Sequence, residues 1–319
     1  PAAHGSDGGG SVRIPAASCG LFGFKATRAR LPYGPEAGEG WAGMAIDGFL
    51  THTVRDTAIL HDATAGPEIG APYCAPPMAE GFAQSLKHPP RKLKIAFATT
   101  SLDGTAIDPD CAATVTATAK LLADMGHEVV EALPSADVGA MMHSWTTIVA
   151  CGTALWIRNA VKARGTPLLD DEIEPVARGA IILSERMDGA DYLEAVGKIH
   201  AYGRQMAQFF VDYDILLTST LAEPPAKIGR YRHQSEDFLN YRVGPGGVFE
   251  YSPFTAAFNA TGQPAASLPL GWSKDGLPIG AHLAGRFGED DVLMSLCAAI
   301  EQAQPWAGKR PKRFGLNLG

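Results

Sequence analysis

Three consecutive glycines, Gly8, Gly9 and Gly10, stand directly before Ser11 near the start of this 319-residue chain. Glycine reaches positive φ without steric cost, so such a run lets the backbone turn tightly and successive N–H groups converge on one point. We expect a helix to begin at about Val12, whose first turn adds unpaired N–H groups and the positive end of its dipole. Such a point suits a negatively charged oxygen, and the adjacent Ser11 hydroxyl is the candidate covalent catalyst.

A glycine-rich loop that opens a helix also suits phosphate binding, and many such loops are only turns. The flanking residues favour catalysis. The stretch GSDGGGSVRIPAASCGLFGFKATRARLP resembles the signature of the amidase signature family, a Gly-Thr/Ser-Asp-x-Gly-Gly-Ser-x-Arg-x-Pro-Ala-x-x-Cys-Gly run followed by Gly-x-Lys-x-Thr. The matching positions are Gly5, Ser6, Asp7, Gly9, Gly10, Ser11, Arg13, Pro15, Ala16, Cys19, Gly20, Gly23, Lys25 and Thr27.

The resemblance continues along the chain. Residues 53–56 (Thr-Val-Arg-Asp), 213–218 (a Tyr-Asp strand), 258–265 and 277–280 (Leu-Pro-Ile-Gly) are similar to further family motifs. Within the family, Gln263 and the Ala3-His4-Gly5 approach look most like hydrolases of 6-aminohexanoate cyclic dimer and related amidases.

The resemblance implies hydrolysis of a carboxamide C–N bond of a small-molecule substrate. It assigns Ser11 as the nucleophile and the N–H groups of Gly8, Gly9, Gly10 and Ser11 as the oxyanion hole. Family members also use a lysine and a second serine in a cis peptide, both upstream of the nucleophile. Here no lysine precedes Lys25, which matches a structural position.

We therefore expect residues 1–319 to be an incomplete amidase signature domain, the C-terminal two-thirds, that is nearly inactive alone. A complementing N-terminal segment or a homo-oligomer is the implied partner, and no cofactor or metal is needed. Two alternatives stay open: the amidase subunit of a tRNA-dependent amidotransferase, and a non-catalytic structural or binding half.

Composition limits the partners and the compartment. The net charge of -7 opposes nucleic-acid binding by bulk electrostatics. No run of eighteen apolar residues appears, so no membrane span is expected. Five scattered cysteines without CxxC spacing indicate a reducing compartment, and we expect a cytoplasmic protein.

The spacing of apolar residues predicts an α/β fold. Residues 93–98 read as a buried strand, Asp108 and Pro109 as the start of a helix, Gly126 as the residue after its end, and residues 127–131 as a second strand. This βαβ unit should form a parallel strand pair.

Further elements extend that sheet. A helix near residues 191–211 should bury one stripe, and residues 214–218 follow as a strand. Residues 266–270 and 277–284 flank an Asp-Gly turn and predict an antiparallel hairpin, and a last helix starts near Glu289. Residues 66–90 read as a long loop. The predicted stripe is Leu193, Val196, Ile199, Gly203, Met206 and Phe210. The fold is thus a large twisted mixed β-sheet covered by α-helices, an amidase signature fold with its N-terminal part missing.

Three other features stand near the candidate site. Asp7 and Arg13 flank the glycine run, and a salt link between them would support the loop, although weakly if exposed. Cys19 is expected to be a buried structural cysteine rather than a nucleophile. Gly244, Gly246 and Gly247 form a loop that, from its position in the family, lines the substrate pocket.

Overall fold

The computed structural model describes residues 2–169 and 171–310. In this part of the chain, eight strands form one mixed sheet in the order β1-β3-β2-β7-β8-β6-β4-β5. The strands are β1 (Ala2–Asp7), β2 (Phe22–Lys25), β3 (Ile46–Thr51), β4 (Lys94–Phe97), β5 (Glu128–Glu131), β6 (Ile215–Ser219), β7 (Ala265–Trp272) and β8 (Pro278–Gly285). The predicted mixed sheet is confirmed.

Helices cover both faces of this sheet, as predicted. They are α1 (Arg13–Cys19), α2 (Val54–Thr64), α3 (Phe82–Ser85), α4 (Pro109–Asp124), α5 (Val138–Arg164), α6 (Pro175–Glu185), α7 (Gly189–Asp212), α8 (Phe238–Val243), α9 (Val248–Tyr251), α10 (Thr255–Thr261) and α11 (Asp290–Ala303).

Side chains along the central strands β4 and β6 point alternately to the two faces of the sheet and divide the core in two. Ile95 and Leu217 pack into the cluster under α2, α4 and α11, whereas Ala96 and Leu216 face the cluster under α5, α7 and α10. Successive side chains of a strand point to opposite faces, so both layers are built from the same short strands.

The predicted βαβ unit is present. β4 and β5 pair in parallel around α4. The Asp108 side chain accepts a hydrogen bond from Asp110 N at 2.8 Å, which begins the helix, and Gly126 follows its end at φ 95. The predicted hairpin is β7 and β8, which are antiparallel. α11 begins after Glu289.

Two local expectations are wrong. Leu193 is 69% exposed because it lies near the start of α7, beyond the packed stripe. The loop over residues 66–90 contains the short helix α3, whose Phe82 is fully buried against Phe24 and His61. The buried residues of α7 are Ala195, Ile199, Tyr202, Met206 and Phe210.

The glycine run joins edge strand β1 to α1. β1 and β2 both pair antiparallel with β3, so α1 connects two parallel strands across the one between them. α1 begins one residue after Val12, as predicted. None of the helices in the described ranges is long and apolar enough to cross a bilayer.

Candidate active site

Each glycine of the run is packed against a different side chain. A Cβ added at Gly8 would overlap the Trp41 ring, and one at Gly9 would lie 2.7 Å from Trp145 Cζ2. At Gly10, where φ is 126, it would overlap Thr255. The two indoles meet edge to face with ring centroids 5.9 Å apart. Only glycine fits at these positions, so the loop lies directly on this aromatic layer.

The backbone carbonyls of the loop all have donors within the protein. Asn259 Nδ2 donates to Asp7 O at 2.7 Å, and Trp145 Nε1 donates to Gly8 O at 2.9 Å. Thr255 Oγ1 donates to Gly9 O at 2.6 Å. The fourth carbonyl, that of Gly10, accepts from Ile14 N at 2.7 Å.

These carbonyl bonds fix the directions of the amide groups. The peptides here are trans, so the N–H that follows each carbonyl points the opposite way. The N–H of Gly8 therefore points away from Asn259, and the N–H of Gly9 points away from Trp145. Within residues 2–169 and 171–310, the amides of Gly8, Gly9 and Ser11 have no acceptor.

Gly10 differs from its neighbours and corrects one expectation. Its N–H donates to Asp7 Oδ1 at 2.8 Å and is therefore not available to a substrate oxygen. The predicted set of oxyanion donors is reduced to Gly8, Gly9 and Ser11. Gly10 instead ties the loop to the side chain of Asp7.

The predicted link between Asp7 and Arg13 exists, and it is buried rather than exposed. Arg13 Nη2 lies 2.8 Å from Asp7 Oδ1 with both side chains at 0% exposure, and Arg13 Nε donates to Asp7 Oδ2 at 3.0 Å. Burial alone would raise the pKa of Asp7, but the charge and hydrogen bonds of Arg13 outweigh it and lower that pKa to about 2. Asp7 is thus a carboxylate at neutral pH.

A polar network extends behind this pair to β8. Arg13 Nη1 lies 3.0 Å from His282 Nε2, and arginine only donates, so Nε2 is the acceptor and the imidazole is neutral. Burial and the Arg13 charge lower the pKa of His282 accordingly. Asn259, 1% exposed, accepts from Arg13 and donates to Asp7 and Met44 O. The network fixes the base of the glycine loop.

The Ser11 side chain is exposed, and no hydrogen-bond partner for its hydroxyl occurs among the described residues. Lys25 is buried at 1% exposure, and its Nζ donates to Ala26 O at 3.0 Å. Burial lowers the pKa of Lys25 to about 7, and its amine makes no hydrogen bond to Ser11. In this part of the chain, the candidate nucleophile and the candidate oxyanion donors lie together, and no side chain hydrogen-bonds to the Ser11 hydroxyl.

Sequence reasoning missed the side chains that orient the loop. Trp41, Trp145 and Thr255 carry no motif, and only Asn259 lay in a segment matched to a family motif. Cys19, expected to be buried, is exposed at the end of α1. Gly244 lines a cavity of about 490 Å³, which also includes Phe249 and Met142.

Comparison with known proteins identifies the family of this chain. Residues 1–294 match the family model described as Amidase. The 6-aminohexanoate-cyclic-dimer hydrolase of Paenarthrobacter ureafaciens is 33% identical over 320 residues, which cover 98% of this chain and 65% of that protein. The likeness expected from Gln263 and the Ala3-His4-Gly5 approach is thus confirmed. The chain spans slightly less than two-thirds of the length of this curated relative.

Solved structures agree. The structure of 6-aminohexanoate cyclic dimer hydrolase complexed with substrate superposes with a TM-score of 0.91 at 32% identity, covering 98% of this chain and 66% of that one. One subunit of the glutamyl-tRNA(Gln) amidotransferase of Thermotoga maritima superposes with a TM-score of 0.70 at 25% identity, covering 95% and 62%. The described sheet and its helices are those of the first structure over nearly the whole chain.

Proposed function

Because this chain belongs to the amidase family, we propose that it hydrolyses a carboxamide C–N bond through an acyl-enzyme on Ser11. The observation that carries the proposal is the exposed Ser11 hydroxyl on a loop whose Gly8, Gly9 and Ser11 amides are unpaired within the described residues. Unpaired N–H groups next to a hydroxyl are what acyl transfer requires. The substrate class is a small amide, linear or cyclic.

The reaction has two halves. Ser11 Oγ attacks the amide carbonyl carbon, its proton passes to a base, and the carbonyl oxygen becomes an oxyanion that accepts from the Gly8, Gly9 and Ser11 N–H groups. The C–N bond then breaks as the leaving nitrogen receives a proton. Water attacks the Ser11 ester in the second half, which releases the acid and restores the hydroxyl. No cofactor takes part in this proposal.

We further propose that the chain by itself turns over slowly. A serine hydroxyl without a base is a poor nucleophile at neutral pH, and neither Lys25 nor any other described side chain hydrogen-bonds to Ser11. A complementing segment or a second subunit would supply the lysine and second serine that the family uses. A cytoplasmic location remains part of the proposal, on the scattered cysteines alone.

A fluorophosphonate probe tests the proposal because it reacts with activated serines. We expect slow labelling of chain 1–319 and fast labelling of the protein expressed from its complete reading frame, with the adduct located on Ser11 by peptide mass spectrometry. Fast labelling of chain 1–319 would contradict the slow-turnover proposal. An adduct on another residue in both proteins would contradict the acyl-enzyme itself.

The second candidate function, as part of a tRNA-dependent amidotransferase, has one specific observation in its favour, the superposition with the Thermotoga maritima structure. Both the TM-score, 0.70 against 0.91, and the identity, 25% against 32%, favour the hydrolase. A chain that releases ammonia from glutamine only with partner subunits and aminoacyl-tRNA would support the alternative. Hydrolysis of a simple amide without them would exclude it.

The carbonyl donors give a prediction about the oxyanion hole. Trp145→Phe removes the hydrogen bond to Gly8 O. The peptide between Gly8 and Gly9 can then rotate, so the Gly9 N–H, a proposed oxyanion donor, loses its fixed direction. Thr255→Val removes the bond to Gly9 O, but the N–H of that peptide, from Gly10, is held by Asp7. We expect Trp145→Phe to lower kcat by about 10²-fold, as loss of an oxyanion donor does, and Thr255→Val to lower it much less.

The two variants are a matched pair because each deletes one buried side-chain donor to a loop carbonyl. Rates are measured on the protein from its complete reading frame, below both unfolding transitions. Unfolding is followed in parallel, and a loss of about 1–3 kcal/mol is expected for each unpaired carbonyl. Equal losses of kcat in the two variants would mean that these bonds support only the fold.

A further inference from the structure

A guanidinium that has no acceptor among residues 2–169 and 171–310 lies one indole away from the glycine loop. It belongs to Arg242, near the end of α8, whose buried Nε has no hydrogen-bond partner in those ranges. No oxygen in the described ranges accepts from its other nitrogens, and no carboxylate pairs with it. Arginine carries five donors and is charged at every physiological pH, so a half-buried guanidinium whose buried Nε–H has no acceptor is costly to keep.

Aromatic rings hold this guanidinium in place. Arg242 Cζ lies 5.6 Å from the Trp145 ring centroid, 5.1 Å from that of Phe238 and 5.6 Å from that of Tyr241. Such contacts stabilise the guanidinium but leave its N–H groups unused. Trp145 is also the donor to Gly8 O, so Arg242 and the proposed oxyanion hole pack on the same indole.

The cavity beside Arg242 determines what could bind there. It has a volume of about 490 Å³, and more than half of its lining residues are apolar. Asp103 also lines it, but its carboxylate is engaged by Ser101 Oγ and by Thr105 N at 3.0 Å. Glu250 is an exposed lining residue. The apolar lining is Leu102, Ala106, Ile107, Val138, Met142, Ala222, Val243, Phe249 and Pro253.

These features select a ligand chemistry. One guanidinium matches one carboxylate, because its parallel N–H groups fit the two carboxylate oxygens. A phosphate dianion is disfavoured by Asp103 and Glu250 on the same lining. The apolar walls suit a hydrocarbon chain attached to the carboxylate. Burial lowers the pKa of Arg242, and the neighbouring Tyr241 opposes this effect.

We propose that this cavity binds an aliphatic monocarboxylate through Arg242, and that the amides cleaved at Ser11 therefore carry a carboxylate on an aliphatic chain. The assignment of the substrate cleaved at Ser11 rests on the proposed function, whereas the binding of the carboxylate does not. Glu250 and Asp103, on the same lining, disfavour ligands with more than one negative charge.

Calorimetry measures the binding of hexanoate, hexanamide and hexylamine to chain 1–319. We expect hexanoate to bind at least about tenfold more tightly than the two other compounds, since hydrogen bonds to a charged group are worth more than neutral ones. Arg242→Gln should lose that preference, and Arg242→Lys should weaken it by keeping the charge without the paired N–H groups. Arg232→Gln is the control, because Arg232 is exposed and the change in net charge is the same.

Equal binding of hexanoate and hexanamide, or unaltered hexanoate binding in the Arg242→Lys and Arg242→Gln variants, would overturn the site. The substrate arm uses the protein from its complete reading frame with an amide ending in a carboxylate and with its methyl ester. We expect a KM lower by about tenfold for the carboxylate, lost in Arg242→Gln. Equal KM values would overturn the substrate assignment, whereas hexanoate binding with an unreactive Ser11 would overturn the proposed hydrolysis and support the site.

Discussion

Ser11→Ala is expected to abolish amide hydrolysis while leaving the stability of the protein unchanged. Removing the nucleophile of a serine hydrolase lowers kcat on the order of 10⁶-fold. The Ser11 side chain is exposed and its hydroxyl has no partner among the residues that the structure describes, so the free energy of unfolding should stay within about 0.5 kcal/mol. If Ser11 were instead a structural residue, Ser11→Ala would lower the stability and leave turnover largely unchanged.

The measurement pairs turnover and probe labelling with urea unfolding. Turnover is measured on the protein expressed from its complete reading frame. Ser18→Ala is the matched control: Ser18 lies on α1, seven residues further along, and no hydrogen bond of its hydroxyl is found in the described part of the chain. If Ser11→Ala kept more than about one-hundredth of the wild-type turnover, Ser11 would not be the residue that forms the acyl-enzyme.

Elements with strong local signals could be predicted from the sequence. Asp108 and Pro109 begin α4 because a side-chain acceptor and a fixed φ favour the first turn in any context. The Asp-Gly turn before β8 acts in the same local way. β1 could not be predicted, since Ala2–Asp7 has little strand propensity and is a strand only because β3 pairs with it.

The candidate site likewise combines features set by local sequence with features set by tertiary contacts. The glycines and Ser11 are contiguous, so their pattern is visible in the sequence. Whether each N–H is unpaired depends on Trp145, Thr255 and Asn259, which come from α5 and α10 and meet the loop only in the fold. The engagement of Gly10 by Asp7 likewise depends on the burial of a pair whose exposure the sequence does not reveal.

Arg13→Met is expected to cost about 3–5 kcal/mol of folding free energy at pH 7, the loss typical of a buried ion pair that is broken on one side. Asp7 would remain a buried carboxylate with only its Gly10, Val12 and Asn259 donors. The double variant Asp7→Asn/Arg13→Met removes both charges and should recover much of the loss. Lys120→Met, which breaks the exposed Lys120–Asp124 pair, should cost far less.

The pH dependence identifies the cause of this loss. In the wild type, the pKa of Asp7 is lowered to about 2, so its contribution to stability is complete above its ordinary pKa of 3.8 and is lost as the pH falls toward 2. Without Arg13, burial is expected to raise the pKa of Asp7, so the folded variant gains stability as the pH falls and Asp7 takes up a proton. The difference between the two proteins in urea unfolding should therefore be largest at pH 7 and shrink toward pH 3. A constant difference would mean that Arg13 stabilises the fold by packing, and that the glycine loop does not depend on the charge beneath it.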